Sequence, residues 1–246
     1  MNKKITAIAV LALYYGNDSR YFSYHSSGKG AFVMEAELGE VLLQTDETWK
    51  VKRHSAFLNR QELLGEGPST RIPEEHNYYD ARLEAGLENW QMPGYDDSNW
   101  ENAIVYGNVG DEPWGGLWER SIPRMKYWER TAYQNPDAFA PYSEKATTEQ
   151  VQIAMRVPYN MQVQPYLKVD APAGLEIQML SDGSEPVNTY YVTKEGVQEF
   201  EGYHWMSAQT LTYVVPDGVK VLDLQYRQSG YNTEFAGSFL CNDEDL

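Results

Sequence analysis

Acidic side chains cluster in residues 78–100, where their spacing could support acid–base chemistry. Asp80 and Glu84 lie four residues apart, with Arg82 midway between them. Hydrolysis of a glycosidic bond uses two carboxyl groups about 5 to 9.5 Å apart. In a strand, which rises roughly 3.3 Å per residue, the two carboxylates would share a face about 13 Å apart. We therefore expect an ion pair with Arg82 and assign no catalytic residue.

A second polar stretch surrounds Ser98. Asp96, Asp97 and Asn99 supply the oxygen ligands that calcium prefers, although their spacing does not match a complete calcium loop. Asp, Ser and Asn side chains also cap the backbone amides of tight turns. We expect such a turn, followed by Trp100 as a core plug, with a calcium site as the alternative. No other cofactor is expected.

Aromatic residues are abundant, with 19 tyrosines and 7 tryptophans. Sugar rings and β-sandwich cores both pack against such flat apolar faces with polar edges. Trp114, Trp118 and Trp128 are the candidates for sugar stacking, with Asp80 and Glu84 as polar partners. The competing interpretation is that these tryptophans seal the segment around them against neighbouring sheets.

Charge and composition exclude several classes of partner. The formal net charge of -16 repels phosphate backbones and anionic membrane surfaces, so neither nucleic acid nor a membrane is expected as a partner. The single cysteine, Cys241, precludes an internal disulfide. The four histidines show no metal-ligand spacing, and we expect surface or half-buried positions for them.

The amino terminus has two interpretations. Lys3 and Lys4 precede the apolar residues 5–13, an arrangement typical of a secretory signal. A small-x-small cleavage pattern is lacking, and the apolar run is too short to span a bilayer. A buried strand that Gly16 and Asn17 terminate is the favoured prediction.

Short β-prone runs with turn residues between them predict an all-β fold. We expect two β-sandwich, jelly-roll-like domains, over residues 1–110 and 150–240, joined by an aromatic, Pro-rich linker at 111–149 that packs on the sandwiches. Strands are predicted in the first half at residues 5–13, 31–38, 41–43, 49–52, 80–84 and 103–106, with a helical turn after residue 57. In the second half they are predicted at residues 151–157, 161–169, 175–181, 187–193, 197–200, 211–215 and 219–227.

Three landmarks resemble one family of enzymes in order and spacing. They are Thr45-Asp46-Glu47-Thr48-Trp49-Lys50, the Tyr79-Asp80-Ala81-Arg82-Leu83-Glu84 segment with its Trp90 and Trp100 turn, and the 14 residues from Tyr226 to Phe239. Together they are similar to the region upstream of the catalytic domain in bacterial α-L-rhamnosidases of glycoside hydrolase family 78.

The resemblance implies a function and an absence. In that family the catalytic carboxylates lie in an (α/α)6 barrel that follows the last landmark, so residues 241–246 would be its beginning and the first sandwich would lack its amino end. We therefore expect a non-catalytic accessory region, whose partners are a rhamnose-containing carbohydrate and the catalytic domain of the same parent protein. A carbohydrate-binding module or a free-standing lectin-like surface protein are the alternatives.

Overall fold

The computed structural model describes residues 7–14, 30–58, 76–112, 115–183, 187–234 and 237–242. Across these ranges the regular secondary structure is almost entirely β-strand, which confirms the predicted all-β class. Helical residues are confined there to α1 (Pro141–Glu144) and to two 3-10 turns, Ala81–Leu83 and Pro136–Ala138. None of these helices has the length and apolar character that crossing a bilayer requires.

The first half contributes short strands. They are β1 (Glu35–Leu38), β2 (Val41–Gln44), β3 (Lys50–Val51), β4 (Phe57–Leu58), β5 (Asn77–Asp80) and β6 (Glu101–Asn102). β1 pairs with β2, and β3 pairs with β6, in two separate antiparallel ladders. β4 and β5 belong instead to the large sheet that the second half builds.

The second half contributes longer strands. They are β7 (Arg130–Ala132), β8 (Val151–Ala171), β9 (Glu176–Ser181), β10 (Thr189–Val192), β11 (Gly196–Glu201), β12 (Met206–Val215) and β13 (Lys220–Gln228). Among the described residues, nine strands form one sheet in the order β4-β5-β10-β9-β12-β8-β13-β7, with β11 also paired to β8. β5 and β10 run parallel, and the other pairs of this sheet are antiparallel.

β8 is 21 residues long, so its two ends pair with different strands. Its residues 151–163 pair with β12, whereas residues 163–170 pair with β13 and residues 166–171 pair with β11. Aromatic rings join the faces, since Tyr191 of β10 lies 4.7 Å from Phe200 of β11 between ring centroids. Tyr133, after β7, shares a 2.8 Å hydrogen bond with Tyr213 of β12. The sheet therefore folds over on itself around one core.

Period-two alternation places the core. In β8 the inward side chains include Ile153, Met155, Val163 and Leu167, each with 2% exposure or less. Fully burying one such side chain contributes about 1.5 to 3 kcal/mol before the entropy cost of ordering it. The turns between strands follow the sequence too: Gly218, in the predicted turn before β13, has φ +82°, which residues with a Cβ rarely adopt.

Several predicted strands were wrong. Residues 7–13 and residues 103–106 form no strand, although the Ala103 amide still donates to the Trp49 carbonyl at 2.8 Å just past β6. The two runs predicted at 151–157 and 161–169 form one strand, since β12 resumes pairing after a register shift. The linker supplies β7 to the large sheet. The helical turn predicted after residue 57 lies mostly outside the described residues, and the domain boundaries remain a prediction.

Candidate functional site

Asp80 and Arg82 form the ion pair that the sequence suggested. Asp80 ends β5, and its carboxylate accepts hydrogen bonds from Arg82 Nε at 2.9 Å and Nη2 at 2.7 Å. The Arg82 side chain thereby lowers the pKa of Asp80, against the opposing effect of burial. Asp80 Oδ1 also caps the following 3-10 turn by accepting from the backbone amide of Arg82 at 3.0 Å.

Glu84 forms a second charged cluster just beyond that turn. Its carboxylate accepts a hydrogen bond from the Tyr79 hydroxyl and forms a 2.6 Å ion pair with Lys194 Nζ. Burial, followed by the bond to Glu84, raises the pKa of Tyr79. We refer to Tyr79, Glu84 and Lys194 as the Glu84 cluster.

The predicted strand over residues 80–84 is thus a strand end followed by a 3-10 turn. The turn separates the two carboxylates and gives each a cation of its own, Arg82 for Asp80 and Lys194 for Glu84. A catalytic acid requires a raised pKa, whereas that of Asp80 is lowered. The local geometry is that of a strand end and a capped turn, with each carboxylate held by a neighbouring cation.

The Asp96 turn has the geometry of an Asx turn. Asp96 Oδ1 accepts the backbone amide of Ser98 at 3.1 Å, and hydrogen bonds from Ser98 lower the pKa of Asp96. Trp100 follows and packs near Trp90 and Tyr95, with ring centroids 6.4 and 5.6 Å away. Trp100 is half-buried among these rings and lies outside the main core.

The calcium alternative at Asp96, Asp97 and Asn99 remains a prediction. All three side chains are exposed, and one oxygen of Asp96 is already used within the turn. No group of three or more His, Cys, Asp or Glu side chains within the described ranges is arranged to hold a metal ion.

The three tryptophans chosen from the sequence are placed differently from one another. Trp118 is 91% exposed and therefore does not pack against a sheet of the described residues. Trp128 is half-buried, with Lys126 Nζ 5.1 Å from its ring centroid. Trp114 lies outside the described residues. The cavity beside the loop between β11 and β12 is not lined by Trp118, Trp128, Asp80 or Glu84.

A cavity of about 290 Å³ lies where the loop between β11 and β12 meets the end of β13. We call it the Trp205 pocket. Its lining contains three aromatic residues (Tyr127, Tyr203 and Trp205), five polar or charged residues (Lys126, Gln164, His204, Gln228 and Ser229) and two apolar ones (Leu13 and Met125).

The Trp205 pocket is held in shape by contacts to β8. Gly202 donates its backbone amide to Pro165 at 2.8 Å, and a Cβ at Gly202 would lie only 3.0 Å from the Pro165 ring. On the opposite wall, the backbone amide of Ser229 donates to the Gln162 carbonyl at 2.9 Å. The backbone amide of Lys126 donates to the Gly230 carbonyl at 3.0 Å. Glycine at position 202 therefore lets the aromatic loop approach the strand.

Tyr127 is fixed although most of its ring is exposed. The Arg227 guanidinium lies 3.8 Å from the ring centroid of Tyr127, and Arg227 is itself held by Glu201 and by the Trp128 carbonyl. This arrangement presents an aromatic surface to solvent while the positive charge of Arg227 is paired behind it.

His204 is buried, contrary to the expectation of surface or half-buried histidines. Only 8% of it is exposed, and burial, with a further effect of His76, lowers its pKa to about 4. Its Nε2 is buried without a hydrogen-bond partner in the described part of the chain. The sequence offered one indication of this site, namely the aromatic residues within 203–205 in a short loop. Leaving such side chains in water is unfavourable, so they indicate a contact.

Comparison with known proteins gives a structural result only. No protein-family model matches the sequence, and no curated protein matches it. Among solved structures, the α-L-rhamnosidase from Dictyoglumus thermophilum aligns over 83% of this chain with 22% identity and a TM-score of 0.54. The fold is shared with part of that enzyme.

The shared region is a small part of the larger protein. This chain covers 22% of the length of the Dictyoglumus enzyme. A rhamnosidase of glycoside hydrolase family 78 from Bacillus sp. GL1 aligns over 38% of this chain and 11% of its own, with 21% identity and a TM-score of 0.34. At these identities the likeness concerns the fold, and the function requires its own argument.

Proposed function

We propose that this chain is a non-catalytic β-sandwich region of a glycoside hydrolase that acts on rhamnose-containing glycosides or polysaccharides. The observation that carries the proposal is the alignment of 83% of the chain with part of an α-L-rhamnosidase. Its partners would be the catalytic domain of the same parent protein and the glycan that this domain cleaves.

The carboxylates support the non-catalytic assignment. Hydrolysis requires an acid and a second carboxyl group on opposite sides of the scissile bond. Asp80 is neutralised by Arg82 through two hydrogen bonds, and Glu84 is bound by Tyr79 and Lys194. These contacts give both acidic residues a structural role at the end of β5.

An assay with 4-nitrophenyl α-L-rhamnopyranoside tests this function. We expect the purified chain to release no nitrophenol above the buffer control, because Asp80 and Glu84 are each paired with a cation. Hydrolysis that disappears in Asp80→Asn or Glu84→Gln, with the circular dichroism spectrum unchanged, would contradict the proposal. The coding sequence beyond Leu246 offers a second test, in which an in-frame helical domain rich in acidic residues is expected.

A further inference from the structure

The size of the Trp205 pocket suits one small ring. A volume of about 290 Å³ corresponds to roughly ten water molecules, at about 30 Å³ for each. A single monosaccharide unit fits within this volume with room for a few waters. Pockets for larger ligands extend to about 1,000 Å³, so this one is at the lower end of the range.

The lining combines the two kinds of group that a sugar requires. Trp205, Tyr203 and Tyr127 provide flat faces for the apolar C–H surface of a sugar ring. Gln164 and Gln228 provide amides that both donate and accept hydrogen bonds, as a ring of hydroxyl groups requires.

These polar groups are available to a ligand. The side-chain amide of Gln228 and the indole N–H of Trp205 form no hydrogen bond with another described residue. Gln164 makes one long contact, 3.5 Å from Nε2 to the Tyr203 carbonyl. The buried Nε2 of His204, in the same lining, also lacks a partner among described residues.

The electrostatics favour an uncharged ligand. Glu201 neutralises Arg227 behind Tyr127, and Lys126 is directed at the ring of Trp128. The imidazole of His204 is neutral at physiological pH because burial lowers its pKa to about 4. The whole chain carries a formal charge of -16, which disfavours anionic sugars at long range.

From this lining we propose that the Trp205 pocket binds one neutral monosaccharide unit of a glycan. The site is independent of the proposed absence of catalysis, because it involves a different set of residues. A sugar held here would anchor a glycan without being cleaved.

Ligand titration of the intact chain tests the site. L-rhamnose, D-galactose and D-glucose would each be added up to about 20 mM, with D-galacturonate as an anionic comparator, and followed by saturation-transfer NMR and calorimetry. We expect at least one neutral sugar to bind with a millimolar Kd, more tightly than galacturonate. Absence of binding by all three neutral sugars, or tighter binding of galacturonate, would overturn the proposal.

Matched variants locate the site. Trp205→Ala and Gln228→Ala are each expected to weaken the Kd at least about fivefold, through loss of a stacking face or of an amide. Tyr159→Ala is the control, because Tyr159 is an exposed aromatic residue outside the pocket lining. If Trp205→Ala does not fold, the Kd of Gln228→Ala alone tests the site. If both variants fold and bind the sugar as tightly as the wild-type chain does, the assignment is contradicted. Neither result changes the expected outcome of the hydrolysis assay.

Discussion

Glu84 connects two segments that lie 110 residues apart in the chain. It receives the Tyr79 hydroxyl from its own neighbourhood and the Lys194 ammonium from the turn after β10. The sequence placed Glu84 beside Arg82 in one strand, whereas the 3-10 turn gives Arg82 to Asp80 alone. Local spacing identified the charged residues, but the partner of Glu84 depends on how β5 and β10 pair.

Removing the Tyr79 hydroxyl tests the Glu84 cluster. Tyr79 is 4% exposed, and Tyr79→Phe leaves the packing intact while removing one hydrogen bond to a charged group. We expect the free energy of unfolding to fall by about 1 to 3 kcal/mol, measured by urea denaturation.

The control for this change is Tyr159→Phe, since Tyr159 is 56% exposed and forms no hydrogen bond through its side chain with another described residue. We expect it to alter stability by less than about 0.5 kcal/mol. A second comparison uses Glu84→Gln with and without Tyr79→Phe, and purely additive effects would show that the hydroxyl does not act through Glu84.

The elements of the second half meet at Thr147, ahead of β8. Its hydroxyl donates to the Pro216 carbonyl at 2.6 Å and accepts the Val219 amide at 3.0 Å. Its backbone also bonds both Val219 and Gly218. One buried threonine therefore fastens the turn between β12 and β13 to the segment that enters β8.

Thr147→Val retains the shape of the side chain and removes its hydroxyl. The Val219 amide and the Pro216 carbonyl would lose a partner in a buried setting, so we expect a loss of about 1 to 3 kcal/mol in unfolding free energy. Thermal and urea unfolding measure it. Thr148→Val is the matched control, because Thr148 is the exposed neighbour, and equal losses in both variants would contradict the role of Thr147.

Turns and alternating strands after residue 150 were predictable because their signals are local. Glycine at position 218 and the alternation in β8 act within a few residues. The joining of two predicted strands into β8 was not predictable, since it depends on β12 resuming its ladder beyond a shift at Ala208 and Thr210. Short strands such as β3 and β7 likewise exist through their partners, β6 and β13.

Stability against acid is a property of the whole molecule, and two opposing effects meet in it. Lowering the pH reduces the formal charge of -16 and thus the repulsion within the chain. His204 acts in the other direction: its pKa is about 4 when folded and about 6.5 when exposed, so the unfolded chain takes up a proton first.

We therefore expect His204 to remove stability as the pH falls from about 6.5 to 4, by up to about 3 kcal/mol, with no further change below that range. The measurement is the unfolding free energy of the wild-type chain and of His204→Phe across this range. The difference between them should vary with pH in that window. A constant difference would contradict a neutral, buried His204, and His76 is the nearby titrating group to monitor by NMR.

At the scale of the whole chain, the sequence by itself determined the all-β class and the second-half turns, and it predicts weak binding of polyanions. These follow from periodicity, turn residues and net charge, which do not depend on distant contacts. Tertiary structure alone decided the partners of Asp80 and Glu84, the burial of His204 and the assembly of the Trp205 pocket. Apart from Leu13, the pocket lining joins residues 125–127, 164, 203–205 and 228–229, which are distant in sequence and meet where β8, β11, β12 and β13 share one sheet.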